Sequence, residues 1–190
     1  MLLSNLLYEF HWGNFNLHRD NLINHCLEKE KPNTIESNVA VRAKSNLWES
    51  TFQFLEDNDP SVIALKLWMV GTIEDFLLRS NNKNYRLAIT DCWAHVTRTN
   101  GWHMPHTHPG STWSGIFYVS EGDVDCGGAT GFLSPFNFER KPGLDFFQSE
   151  YRVFPKPGML IIFPSTLTHY VQPYIGNSPR ITIAFNSICI

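Results

Sequence analysis

The sequence predicts an α+β fold, with helices first and a β-sandwich or barrel after them. Three observations carry that expectation. Residues 1–100 contain two Pro and two Gly, whereas residues 101–190 contain nine Pro and ten Gly. Breakers are rare where long helices run and frequent where short strands turn. Apolar residues recur at intervals of three and four in two segments of the first half, which is the helical period. The remainder offers about seven strand-like runs separated by turn signals, the pattern of a sandwich or barrel. Residues 1–190 therefore read as a single domain, mainly helical over 1–84 and sheet-rich over 85–190.

The first helix is expected from about His18 to Glu30, with Leu17, Leu22, Ile23, Cys26 and Leu27 on one face. The second starts at Asp59-Pro60, where Asp suits the N-cap and Pro the first helical position. It runs to about Arg79, and Val62, Ile63, Met69, Val70, Ile73, Phe76 and Leu77 give it a broad apolar face. Tyr85 to Thr99 reads as one long strand. Shorter strands are expected at Ile116–Val119, Thr130–Leu133, Tyr151–Phe154, Met159–Phe163, His169–Pro173 and Arg180–Ile188. Gly127-Gly128 reads as a hairpin turn, since glycine adopts φ > 0 without strain. Asn33–Asn46 and Asn137–Glu150 read as long loops. The aromatic start of the chain, with Tyr8, Phe10, Trp12 and Phe15, suits a cap on the sheet or a contact with a second subunit.

Composition excludes several classes of function. A net charge of −3 does not suit a nucleic-acid surface. The most apolar stretch, Val62 to Leu78, carries Lys66, Glu74 and Asp75, so it is no membrane span. The N-terminus lacks the basic region and apolar run of a signal peptide. Cys26, Cys92, Cys126 and Cys189 are scattered and form no CxxC pair, which fits free thiols in the cytoplasm. The expected partner is a small molecule or a peptide, with neither nucleic acid nor membrane.

The chemistry concentrates in three places. His106 and His108 form a His-x-His pair in GWHMPHTHPGSTWSG, and His169 follows 61 residues after His108. In extended backbone, residues at i and i+2 point the same way, so such a pair presents two imidazoles to one metal ion. A distant His then completes the site. Imidazole suits Zn, Cu, Fe or Ni alike. The third place is Arg180, which opens RITIAFN. Arg180, Thr182, Ala184 and Asn186 share one face of that strand, polar or small like the wall of a ligand pocket. A guanidinium with a hydroxyl two residues on offers a fork of donors to a carboxylate. Tyr118 ends a strand shortly after the histidine pair. Trp102, His103 and Trp113 flank the histidine pair and are candidates, with Asn186, for the substrate mouth. His95 reads as a hydrogen-bonded structural histidine.

Those motifs resemble, in order and spacing, the iron(II)/2-oxoglutarate-dependent oxygenases: HxH, a strand ending in Tyr118, Gly-Gly, PGMLIIFP, a His, and Arg eleven residues later. KSNLWES and CWAHVTRTNGWHMPHTHPGSTWSGIFYV are similar to a small branch of that superfamily found in phage and marine bacteria. The resemblance spans roughly residues 40–190. It implies a double-stranded β-helix (a cupin-like jelly roll) with N-terminal helices packed on one face. It also implies Fe(II), 2-oxoglutarate as cosubstrate, and dioxygen. Iron would sit on His106, His108 and His169, and the far carboxylate of 2-oxoglutarate on Arg180, Thr182 and Tyr118. The outcome would be oxidation, by default hydroxylation, of an unidentified substrate.

One position departs from the family's pattern. His108 stands where a carboxylate ligand is usual, and no Asp or Glu occurs from Cys92 to Ser120. Two readings are open at this point: an all-histidine metal face, or His106 and His169 binding while His108 turns away. Three histidines also suit zinc. Beside the oxygenase stand a three-histidine cupin-type metalloenzyme independent of 2-oxoglutarate and a non-enzymatic jelly-roll binding or virion module.

Overall fold

A computed structural model describes residues 3–30, 46–81, 83, 85–135 and 149–190. The loops expected at Asn33–Asn46 and Asn137–Glu150 lie almost wholly outside the described residues. In chain order the elements are β1 (Tyr8–His11), α1 (Phe15–Glu30), β2 (Leu47–Glu49), α2 (Pro60–Asn81), β3 (Leu87–Thr97), β4 (Gly101–His106) and β5 (Trp113–Ser120). They continue with β6 (Thr130–Leu133), β7 (Glu150–Val153), β8 (Met159–Pro164), β9 (His169–Tyr174) and β10 (Arg180–Cys189).

The strands form two antiparallel sheets, a six-stranded one in the order β1-β8-β5-β10-β3-β2 and a four-stranded one in the order β4-β9-β6-β7. Side chains alternate across the larger sheet with period two. Phe117, Val119, Ile181, Ile183 and Phe185 enter a core shared with the helices, whereas Ile116, Tyr118 and Ala184 enter a second core shared with Phe132 of the smaller sheet. The fold is a double-stranded β-helix with the N-terminal helices covering one outer face.

The helices sit where their sequences direct them. The Asp59 carboxylate accepts hydrogen bonds from the backbone N–H groups of Ser61 (2.8 Å) and Val62 (3.1 Å), closing the start of α2. Val62, Leu65, Met69, Ile73 and Leu77 form its buried stripe. Ile63 is exposed, and Leu17 at the start of α1 is 77% exposed. Both expectations fail because each side chain lies off the face that meets the sheet. The aromatic start of the chain caps the sheet and its helices: Tyr8 and Phe10 pack on Phe76, Trp12 stacks on Trp68, and Phe15 meets Phe117.

Three strands escape the sequence pattern. β1 and β2 are short edge strands of the larger sheet, so the N-terminal part contributes to both of its margins. β4 contains Gly101 and Pro105 and is not among the expected strands. It is an edge strand, where a missing N–H is tolerated. The Gly127-Gly128 hairpin is corrected too. β5 and β6 belong to different sheets, so the segment between them is a crossover. Both glycines do have positive φ, 82° and 71°. Replacing Asp59 by Ala is expected to lower stability by about 1 kcal/mol, the usual effect of losing an N-cap, measured by urea unfolding.

Candidate metal centre

His106 closes β4 and His169 opens β9, and the two are direct cross-strand partners. Their ring centroids lie 4.2 Å apart. His108 lies beyond the end of β4. Its backbone N–H donates to the Ser165 carbonyl at 2.9 Å, which turns the ring back towards the pair. The ring centroids of His106–His108 and His108–His169 are 5.0 and 5.1 Å apart. One ring nitrogen from each residue lies within 4.8 Å of the others, the single such cluster of three or more metal-ligating side chains among the described residues. A loop held by Ser165, rather than two extended residues side by side, thus brings the His-x-His pair to one point.

The backbone sets the tautomer of two rings. Nδ1–H of His106 donates to the Met104 carbonyl at 2.8 Å, and Nδ1–H of His169 to the Leu167 carbonyl at 3.0 Å. A carbonyl can only accept, so Nε2 of each ring keeps its lone pair, the form a metal requires. Burial, reinforced by the neighbouring His106, pushes the His169 pKa down to about 3. The ring stays neutral near neutral pH.

Arg180 lines the same cavity as the three histidines, with Thr182, Trp93 and His95. It is 1% exposed, and its Nε and Nη2 find no partner among the described residues. Its guanidinium lies over the Tyr118 ring, 5.6 Å from the centroid. Burial pulls the Arg180 pKa below its ordinary value. The Tyr118 hydroxyl is engaged with Thr130 Oγ1 at 2.7 Å, and burial raises its pKa to about 12. Tyr118 is therefore a floor beneath the guanidinium and does not line the cavity. Gly128 packs against the Arg180 side chain. A Cβ there would fall 2.7 Å from Arg180 Cδ, so the side chain depends on a residue the sequence had suggested only for a turn.

The remaining candidates divide. His103 lines this cavity and an adjoining one of about 380 Å³, and Asn186 lines the second. Trp102 borders neither. Trp113 is a correction: it stands on the outer face of β5 and packs edge-on against Tyr8 and Phe76, because its place in the alternation turns it towards the helices. Glu49 escapes the sequence reading. It pairs with His95 (2.8 Å), both side chains about 10% exposed, and it lines the larger cavity. Forty-six positions separate the two, and no local motif joins them.

A double-stranded β-helix with a three-histidine cluster and, in the same cavity, a buried guanidinium with two nitrogens unpartnered among the described residues is the architecture of a non-haem metal oxygenase. The family model described as "Putative 2OG-Fe(II) oxygenase" matches residues 91–186, and the chain belongs to that family. It is an Fe(II)/2-oxoglutarate-dependent oxygenase. No curated protein matches the sequence. Among solved structures, a prolyl-4-hydroxylase from Pseudomonas putida aligns over 96% of this chain and 92% of its own, with TM-score 0.66 and 14% identity. A prolyl hydroxylase from Trichoplax adhaerens, in complex with a hypoxia inducible factor peptide fragment, aligns over 97% and 84%, with TM-score 0.65 and 16% identity. HygX from Streptomyces hygroscopicus, with nickel, 2-oxoglutarate and hygromycin B bound, aligns over 96% and 82%, with TM-score 0.62 and 12% identity. At these identities the likeness is one of fold.

The low His169 pKa has a consequence for stability. The unfolded chain binds a proton on His169 near the ordinary value of 6.5, whereas the folded metal-free protein resists it down to about 3. Its contribution to stability is therefore complete above about pH 6.5 and falls as the pH drops towards 3, by up to about 1.4 kcal/mol per unit. Urea unfolding of metal-free protein at about pH 7.5 and about pH 5 should differ by about 2 kcal/mol more than in His169→Gln. Equal differences would disprove the assignment.

Proposed function

We propose that His106, His108 and His169 hold the iron and that Arg180 with Thr182 receives the far carboxylate of 2-oxoglutarate. The single observation that carries the second half is the buried guanidinium with two unpartnered nitrogens in the histidine-lined cavity. A buried charge of this kind is costly until an anion meets it. A three-histidine metalloenzyme that needs no keto acid would leave that charge uncompensated, and family membership disfavours a non-enzymatic module.

When bound, iron and 2-oxoglutarate supply the coupling of cosubstrate decarboxylation to substrate oxidation, hydroxylation in the default case. The chain's own residues do the rest. The Met104 and Leu167 carbonyls fix two imidazoles with Nε2 free. The Tyr118 ring and Gly128 aim the guanidinium. The two apolar cores exclude water from the space between the sheets.

The substrate enters, in this reading, through the cavity of about 380 Å³, which meets the metal cavity at Trp93, His103 and His108. That size suits a small molecule or one side chain of a peptide. Glu49, Asp91, Phe52 and Trp93 line it, and no Lys or Arg is among its described lining residues. A neutral or cationic substrate group fits this wall, and an anionic one does not. We place the protein in the cytoplasm, on its four free cysteines and the lack, among the described residues, of a helix long and apolar enough to cross a membrane.

Two outcomes are expected. Adding 2-oxoglutarate to the anaerobic Fe(II) protein should produce a visible metal-to-ligand charge-transfer band, and Arg180→Ala should weaken the titrated affinity roughly 30-fold or more, the loss of a buried charge partner. Equal affinity would remove Arg180 from the site. In a screen reading succinate release, amines, guanidines and neutral compounds should stimulate turnover, and Glu49→Gln with Asp91→Asn should weaken the response to cations. Stimulation by carboxylates or phosphates alone would contradict the cavity's assigned role.

A further inference from the structure

Glu49 distinguishes between the two kinds of substrate group that the adjoining cavity admits. Its side chain is only 10% exposed. One oxygen, Oε2, lies 2.8 Å from His95 Nε2, and among the described residues no donor meets the other, Oε1. A carboxylate offers about four acceptor sites, so much of this one is unused. Glu49 lines the cavity of about 380 Å³, where a ligand can reach it. Asp91 lines the same cavity in a similar condition. Its Oδ2 accepts from the Thr90 hydroxyl at 3.0 Å, and no described residue donates to Oδ1. A carboxylate taken from water and left partly unmet is costly until a donor arrives. A neutral hydroxyl or amide would supply the hydrogen bond but not the charge. A cation that carries N–H groups supplies both.

The rest of the wall fits carbon attached to such a cation. Alternate residues of β3 share a face, so Asp91, Trp93 and His95 follow one another along the cavity side. Glu49 lies opposite His95 on β2. Trp93 therefore stands between the two carboxylates. Phe52 meets it edge-on, with ring centroids 5.4 Å apart and planes at 83°, making an apolar corner. An alkyl stem packs on such rings, and a cation close to the indole face is attracted by it as well. The Trp93 ring is also 5.7 Å from that of His108, so a stem lying on it leads towards the metal cavity. We propose that the substrate carries an alkylammonium or alkylguanidinium group: its nitrogen meets Oε1 of Glu49, with Asp91 in support, and its stem lies on Trp93 and Phe52. The inference rests on the reading of this cavity as the substrate's route, and narrows that reading from neutral or cationic groups to cationic ones.

Proton NMR titrations of the full chain, loaded with cobalt(II) and 2-oxoglutarate without oxygen, test it. The probes are pentylamine, Nα-acetyl-lysine methylamide, pentanol and pentanoate. At least one of the two amines should bind about 10-fold or more tightly than pentanol, the effect of a hydrogen bond between charged groups, and pentanoate should bind most weakly. Tighter binding by either amine supports the class and shows whether the group is borne by a small molecule or by a peptide. Cobalt should broaden the stem protons of the bound amine, and zinc should not. Glu49→Gln keeps the side chain's size and should reduce the preference for amine over alcohol to a few-fold, and Asp91→Asn should reduce it less. Pentanol binding as tightly as both amines, or a preference unchanged in both variants, overturns the inference. If Glu49→Gln does not fold, the wild-type preference and Asp91→Asn decide. The two levels fail separately. An anaerobic Fe(II) protein that shows the charge-transfer band with 2-oxoglutarate but prefers no amine refutes the substrate class alone. Tight amine binding without broadening by cobalt places the amine away from the metal and refutes the cavity's role as well.

Discussion

The site depends on the alternation of one central strand. β10 is hydrogen-bonded on both sides, to β3 and to β5, so its register is set twice. Ile181, Ile183 and Phe185 go to the helix-backed core, while Arg180, Thr182, Ala184 and Asn186 face the smaller sheet. A slip of one residue would drive a guanidinium into an apolar core and expose three large side chains on the wrong face. The apolar half of the strand therefore secures the polar half. An isolated Arg would not remain buried on its own account. It is held there by neighbours whose burial is favourable, with the Tyr118 ring beneath it and a glycine, Gly128, clearing its path.

The histidines follow a similar logic with the opposite charge requirement. Arg180 must stay charged in the interior, whereas the three imidazoles must stay neutral. At His169 burial does most of this, and the neighbouring His106 ring, 4.2 Å away, adds to it. Hydrogen bonding does the remainder by engaging Nδ1 of His106 and His169 with carbonyls two residues earlier in the chain. The same environment that keeps a ligand set ready for a cation makes the metal-free fold sensitive to acid. Readiness and acid sensitivity come from one cause.

Much of this was legible in the sequence where the signal is local. Asp59-Pro60 announces a capped helix because the cap chemistry lies within a few residues. His106, His108, His169 and Arg180 are recognisable from spacing, and strand geometry gives Arg180 its direction, although the loop held by Ser165 and not extended backbone brings His108 to the pair. What was hidden depends on tertiary contact. β1, β2 and β4 are edge strands, two of them short and one interrupted by Pro105, and become strands only because a neighbour offers its free edge. Trp113 looks like a pocket residue because it adjoins the histidine motif, yet alternation along β5 points it at Tyr8 and Phe76. Glu49 and Gly128 lie in segments the sequence marks for other reasons, and nothing local shows their part in the site, since their partners lie far along the chain.

The proposed assignment of His106, His108 and His169 as ligands, with imidazole in place of a carboxylate, raises a question of charge. Three neutral rings bring nothing to offset a divalent ion, and Arg180 adds a further positive charge to the same cavity. Compensation must come from the cosubstrate and from the protein around it. Glu49 is the buried carboxylate on the wall beyond His103, paired with His95, and a row of rings connects it to the triad: His95 to His103 at 5.5 Å and His103 to His106 at 4.3 Å. A negative charge at that remove lowers the potential of the site without occupying a metal position. Under the ligand assignment proposed above, β2 thus supplies from nearby part of the negative charge that three imidazoles lack, and its Glu49 also lines the adjoining cavity.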